Sequence, residues 1–219
     1  MSMQPAWPTW FYVGKVKDHN KVVEAFMPYI LKEKEYFHEP WTLASCLSSC
    51  QHEKNGDMPW HVWADAIKPN FEEYLNGLQP FSNYSIDIIE SWVNIYKRGG
   101  YQEIHDHMFP GRCFSCSYFF EKPAGEDARG ELVFENIDYN RISATGLDRI
   151  FQQMKTKLFV PEIETGDVVF FPSWVKHFTH PNNSNQRRTT FSANFAVTEA
   201  TNVENQPFNP ELHEHIKLK

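Results

Sequence analysis

Near Pro80 the chain changes its hydrophobic rhythm, and that change restricts the fold more than any other feature. Downstream the pattern changes to period two and short runs: 84–97 (YSIDIIESWVNIYK), 101–107, 112–121, 130–135, 156–163, 167–171, 175–180 and 188–197. Period-two alternation sets one side of each run against a core, which is the pattern of a strand and not of a helix. Gly, Pro and Asn punctuate the runs, so a succession of short strands predicts a mainly β sandwich or jelly roll rather than a βαβ sheet. Residues 122–129 (KPAGEDAR) read as a turn, and 136–152 as a longer excursion with a short helix around 144–153.

Upstream the periodicity is helical. Residues 7–16 read as a first strand, after which Asp18-His19-Asn20 can cap a helix through about residue 37. Its stripe is Val22, Val23, Phe26, Tyr29, Ile30 and Leu31, with Pro28 predicting a kink or a split. Residues 38–56 are irregular and polar. A second helical stretch, 58–77, carries Trp60, Trp63, Ile67, Phe71, Tyr74 and Leu78 at helical spacing, and Pro69 suits the first residue of a following helix. These aromatic stripes are core material. The expected organisation is a helical support over 1–80, a β core over 81–200 and a polar tail over 201–219. In the tail His213 and His215 lack any strand context and read as part of a solvated terminus.

Charge and cysteine content exclude some functions. Lys plus Arg is 21 against 28 acids, a net charge of −7, which argues against a nucleic-acid partner. No apolar run reaches the length of a membrane span, and MSMQPAWPTWF lacks a charged stretch followed by an apolar one, so the expected compartment is the cytoplasm. Cys113 and Cys116 lie three apart in a predicted strand, hence on opposite faces. They and the Cys46/Cys50 pair read as free thiols rather than as a zinc site.

Two pieces carry chemistry. In GGYQEIHDHMFPG, His105 and His107 are two apart, so both imidazoles can face one ion while Asp106 points away. Asp106 becomes the ligand instead if a bulge at Gly111 or a wide loop turns it inward. Seventy residues on, GDVVFFPSWVKHFTHP places His177 after an apolar strand, with His180 on the other face if the strand is regular. Three ligands on one side of a metal leave adjacent positions open, which suits Fe(II) chemistry with O2 and a chelating co-substrate. On the closing strand Arg188, Thr190, Ser192 and Asn194 share a face, and Arg with Thr makes a fork for a carboxylate. An interior Arg needs an anion, which a dicarboxylate would supply, and Tyr118 could add a phenol to the same anion.

These motifs carry a likeness. From Trp92 the order W-V-N…G-G-Y-Q…H-x-H…S-x-x-Y…K-P-x-G…G-E-L-V-F, then G-D-V-V-F-F-P-S-W-V-K-H…P-N…R-x-T…N-F, resembles the small iron(II)/2-oxoglutarate-dependent oxygenases of bacteria and their phages. The resemblance spans roughly residues 90–197. It implies a double-stranded β-helix, a jelly roll of the cupin-like kind, with His105 and His177 binding Fe(II). It also implies that Arg188 and Thr190 hold the distal carboxylate of 2-oxoglutarate, and that Asn194 closes the motif. The wider superfamily has H-x-D where this chain has His107, so the third ligand is His107 or Asp106, with His107 preferred. The implied activity is hydroxylation of an unactivated C–H in a peptidyl or small-molecule substrate, with 2-oxoglutarate and O2 as co-substrates. Two other readings stand beside it: a three-His dioxygenase that uses no oxoacid, and a non-catalytic ligand-binding jelly roll.

Overall fold

The computed structural model describes residues 8–40, 42–125 and 130–199, so the tail 201–219, with His213 and His215, lies outside the described residues. In chain order the elements are β1 (Tyr12–Lys15), α1 (His19–Ile30), α2 (Glu33–Tyr36), β2 (Leu47–Ser48), α3 (Trp60–Gly77), β3 (Tyr84–Tyr96), β4 (Gln102–His105), β5 (Phe114–Glu121) and β6 (Leu132–Glu135). They continue with α4 (Tyr139–Ala144), β7 (Leu158–Phe159), β8 (Asp167–Pro172), β9 (His177–Thr179) and β10 (Arg188–Glu199). The strands form two antiparallel sheets, β1-β8-β5-β10-β3-β2 and β4-β9-β6-β7. This is the jelly roll expected from the alternating runs.

β10 explains how the layers are assigned. It is flanked on both sides, by β3 and β5, and residues 188–195 are buried without interruption. Its odd-numbered residues face the helices: Phe191 lies 4.7 Å from Phe26, and Phe195 lies 4.4 Å from Phe71, measured between ring centroids. Phe170 on β8 joins the same cluster, 4.7 Å from Phe71. A stripe of aromatic residues on two helices thus covers one face of the larger sheet, and burying each such ring stabilises the fold by roughly 1.5–3 kcal/mol. The opposite face, which carries the even-numbered residues, meets the smaller sheet. There Phe119, Leu132, Phe134, Ile163, Val169, Phe171 and Val175 form a second apolar cluster.

The helices differ from expectation in three places. The first stretch splits as its proline suggests, but Pro28 sits inside α1 and the break comes later, before α2. Asp18 makes no side-chain cap, its carboxylate pairing with Lys21 at 3.1 Å instead. α3 is one continuous helix through Pro69. Asp65 and Pro69 are both exposed, so the carbonyl that loses its i+4 donor faces water, which lowers the cost of the proline. The excursion after β6 places its helix at 139–144, earlier than expected, with two 3-10 turns following. β2 extends the large sheet through a stretch expected to be irregular. It is only two residues long and paired to β3, so it has too few residues to display a period. Among the described residues no helix is long and apolar enough to cross a membrane.

Candidate metal and oxoacid site

Cross-strand register gathers the histidines. His105 ends β4 directly opposite His177, the first residue of β9. The chain beyond β4 remains tied to the barrel because the His107 N–H donates to the Ser173 carbonyl at 2.9 Å. Ring centroids are 4.3 Å apart for His105 and His177, 5.1 Å for His105 and His107, and 5.0 Å for His107 and His177. One nitrogen from each lies within 4.8 Å of the others, within side-chain adjustment of a shared ion. Asp106 is not in this group; its Oδ1 accepts the Met108 N–H at 3.1 Å and caps the turn that follows. His180 pairs with Glu131 at 3.1 Å and is likewise outside it.

The tautomers suit metal binding. Nδ1 of His105 lies 2.8 Å from the Glu103 carbonyl, and Nδ1 of His177 lies 2.9 Å from the Val175 carbonyl. A carbonyl only accepts, so each Nδ1 carries the proton and each Nε2 keeps a lone pair for a ligand. Nδ1 of His107 is 2.7 Å from Asn194 Oδ1 and 3.0 Å from Ser115 Oγ. Burial, aided by the neighbouring His105, pushes His107 down to about 4 and holds His177 well below the usual imidazole range. Both are therefore neutral at neutral pH, as ligation requires.

That depression has a thermodynamic consequence. Below the ordinary value of 6.5 the unfolded chain takes up protons that folded His107 and His177 refuse, so acid favours unfolding. The metal-free protein is expected to lose thermal stability as pH falls from 6.5 toward 4. Melting curves across that range check this, and His107→Asn should flatten part of the slope.

Arg188 opens β10 on the inner face and is 1% exposed. Its guanidinium carbon lies 4.8 Å from the Tyr96 ring and 5.1 Å from the Phe119 ring. Its Nε and Nη1 have no hydrogen-bond partner. Desolvation pushes its pKa down, against the opposing influence of Tyr96, Cys46 and Glu131. A charge this deep with two idle donors is costly unless an anion completes it. Thr190, buried two residues on, shares its face, and both line the cavity of about 360 Å³ that holds the three histidines.

Tyr118 requires a correction. It is paired with Phe191 and so faces the helices, where its hydroxyl lies 2.5 Å from His19 Nδ1; it does not reach the cavity. Register decides this: Thr190 opposes Phe119, so the inner residues of β5 are the odd-numbered ones. The tyrosine that accompanies Arg188 is Tyr96, its register partner on β3. Sequence spacing does not reveal that pairing, because it depends on which distant strands are neighbours. Asn194 lies six residues along β10 from Arg188, about 20 Å of strand, and its amide sits behind His107 rather than beside the guanidinium. The four cysteines form no disulfide.

Residues 90–194 match the model of the 2OG-Fe(II) oxygenase family. No curated protein matches the chain. Similar solved structures include a prolyl-4-hydroxylase from Pseudomonas putida (TM-score 0.57, 14% identity, covering 86% of this chain and 92% of that one). Another is HygX from Streptomyces hygroscopicus with nickel and 2-oxoglutarate bound (0.57, 12%, 86% and 83%). A third is a prolyl hydroxylase from Trichoplax adhaerens in complex with a hypoxia inducible factor peptide fragment (0.58, 13%, 85% and 83%). At these identities the likeness is one of fold.

Proposed function

The chain belongs, through residues 90–194, to the 2OG-Fe(II) oxygenases, and on that premise we propose that it is a hydroxylase in which His105, His107 and His177 hold the iron and Arg188 with Thr190 holds 2-oxoglutarate. Iron with 2-oxoglutarate supplies O2-dependent oxidation of a substrate C–H, with succinate and CO2 as co-products. The protein's part is to orient and exclude water. Backbone carbonyls and the Asn194 amide keep the three imidazoles in the Nδ1–H tautomer. The Arg188 guanidinium offers its unpartnered Nε and Nη1 to the distal carboxylate. Tyr96 and Phe119 cover its faces and exclude water from the pair.

The observation that carries the reading is this buried, unpartnered guanidinium in the same cavity as the triad. An oxoacid-free dioxygenase would have no use for a carboxylate receptor there. The proposed substrate class is a peptidyl or small-molecule C–H donor, and Glu90, Trp92 and Arg112 line the same cavity as the triad. The cytoplasm, whose reducing conditions suit four free thiols, is the proposed compartment.

Substrate-free protein given Fe(II), O2 and 2-oxoglutarate tests the assignment. Slow, uncoupled succinate formation that disappears in Arg188→Ala is expected. Oxygen consumption by the iron-loaded protein without succinate would move the assignment to the oxoacid-free class.

A further inference from the structure

Three side chains behind His107 form a line that the reading above does not use. Asn194 Oδ1 faces His107 Nδ1 at 2.7 Å. The amide nitrogen of Asn194 donates to Glu90 Oε1 at 2.6 Å. The same oxygen accepts Arg112 Nη2 at 2.6 Å. Asn194 is 1% exposed, so bulk solvent does not compete for its amide.

An asparagine amide can present either end to a neighbour, and the choice matters here. With Oδ1 toward His107, the imidazole must donate from Nδ1, which leaves Nε2 unprotonated for a metal. With the amide reversed, the NH2 group would meet Nδ1, the proton would move to Nε2, and the ring could not ligate through that atom. A carboxylate paired with a guanidinium only accepts, so Glu90 admits just one orientation of Asn194. Ser115 agrees with that orientation, since its hydroxyl donates to Asn194 Oδ1 at 2.6 Å.

Resting on the proposed metal assignment, we infer that Glu90 is a positioning residue for the metal: it locks the Asn194 amide, which in turn selects the metal-binding tautomer of His107. This bears most on the ligand that replaces a carboxylate. An aspartate has no tautomer to set, whereas a histidine at 107 needs a partner that fixes one. His105 and His177 obtain the same effect from backbone carbonyls, which cannot be reversed.

Anaerobic titration of the full chain with Co(II), followed by visible absorption, tests the relay without turnover. Glu90→Leu and Asn194→Leu are each expected to weaken binding by about 10–100-fold, the usual range for a ligand's outer partner. Because they act in series, Glu90→Leu/Asn194→Leu should bind no more weakly than Asn194→Leu alone. Glu90→Gln retains an oxygen that Arg112 can orient and should stay within about threefold of the unaltered chain. If Glu90→Leu lowers the melting temperature but leaves Co(II) affinity unchanged, or if the two losses add, the inference fails. Nitrogen-15 NMR of the metal-free, unaltered chain gives a second reading that does not depend on any variant folding. His107 must carry its proton on Nδ1, and a proton on Nε2 overturns the proposal. An unaltered chain that binds neither Co(II) nor Fe(II) defeats the metal assignment itself, whereas normal binding with unaffected variants defeats only the role of Glu90.

Discussion

Arg188→Ala is expected to raise the dissociation constant for 2-oxoglutarate by at least about 100-fold while leaving metal affinity within about threefold. The size follows from the site's asymmetry. In the intact protein an incoming carboxylate meets a guanidinium that burial has already stripped of water and whose Nε and Nη1 are unpartnered. The carboxylate therefore replaces its lost hydration with a bidentate, charge-assisted pair. Without the guanidinium that desolvation cost has no return, and breaking a buried pair in this way costs roughly 3–5 kcal/mol, or about two to four orders of magnitude in affinity. Metal affinity is spared because Arg188 makes no hydrogen bond to any of the three histidines or to the groups behind them. Lysine at 188 should recover only part of the loss, since an ammonium lacks the fork. Calorimetry with a redox-inert metal in the site measures both constants on one sample. A further sign is checkable in the apo protein: removing an unpaired buried cation should leave thermal stability unchanged or higher. Equal 2-oxoglutarate affinity in the alanine variant would rule out the carboxylate receptor.

What was legible beforehand divides along the line between local and long-range geometry. Each strand from β3 to β10 is visible as a short alternating or apolar run, and the convergence of His105 with His107 follows from their spacing alone. The shared face of Arg188, Thr190, Ser192 and Asn194 was visible for the same reason. What was not legible depended on which strand lies beside which. Tyr118 looked available to the anion only while its register against β10 was unknown; opposite Phe191 it must face the helices. Tyr96 and Glu90 had no local mark at all. They acquire their positions because β3 runs antiparallel to β10, with Tyr96 opposite Arg188 and Glu90 opposite Asn194. The two proline-bearing helices failed differently. Local rules suit Pro69 to the first residue of a following helix, but α3 runs through it, with Trp63, Ile67 and Phe71 packed into one core.

The three-histidine assignment makes the second strong prediction: His105→Ala, His107→Ala and His177→Ala should each abolish stoichiometric Fe(II) binding, whereas Asp106→Asn should retain it within about threefold. The geometry separates the two neighbours. His107 is buried, its ring lies about 5 Å from both other imidazoles, and its Nδ1 is anchored. Asp106 instead spends an oxygen on the Met108 N–H, in a turn on the outer side of the chain. To ligate, its carboxylate would have to leave that turn and swap faces with His107, which would pull the His107 N–H from the Ser173 carbonyl and the imidazole from Asn194. Two hydrogen bonds at about 1 kcal/mol each, together with re-exposure of a buried ring, oppose the exchange. Asp106→Asn keeps the turn, because an amide oxygen still accepts from Met108, so any loss of metal in that variant reports on ligation rather than on folding. His107→Asp is the sharpest variant. It restores the carboxylate of the wider superfamily but cannot donate to Asn194 Oδ1, so it should bind Fe(II) more weakly than the unaltered chain unless Asn194 and Glu90 are changed with it. Metal retention in His107→Ala together with loss in Asp106→Asn would place the third ligand one residue earlier and leave the oxygenase family unchanged.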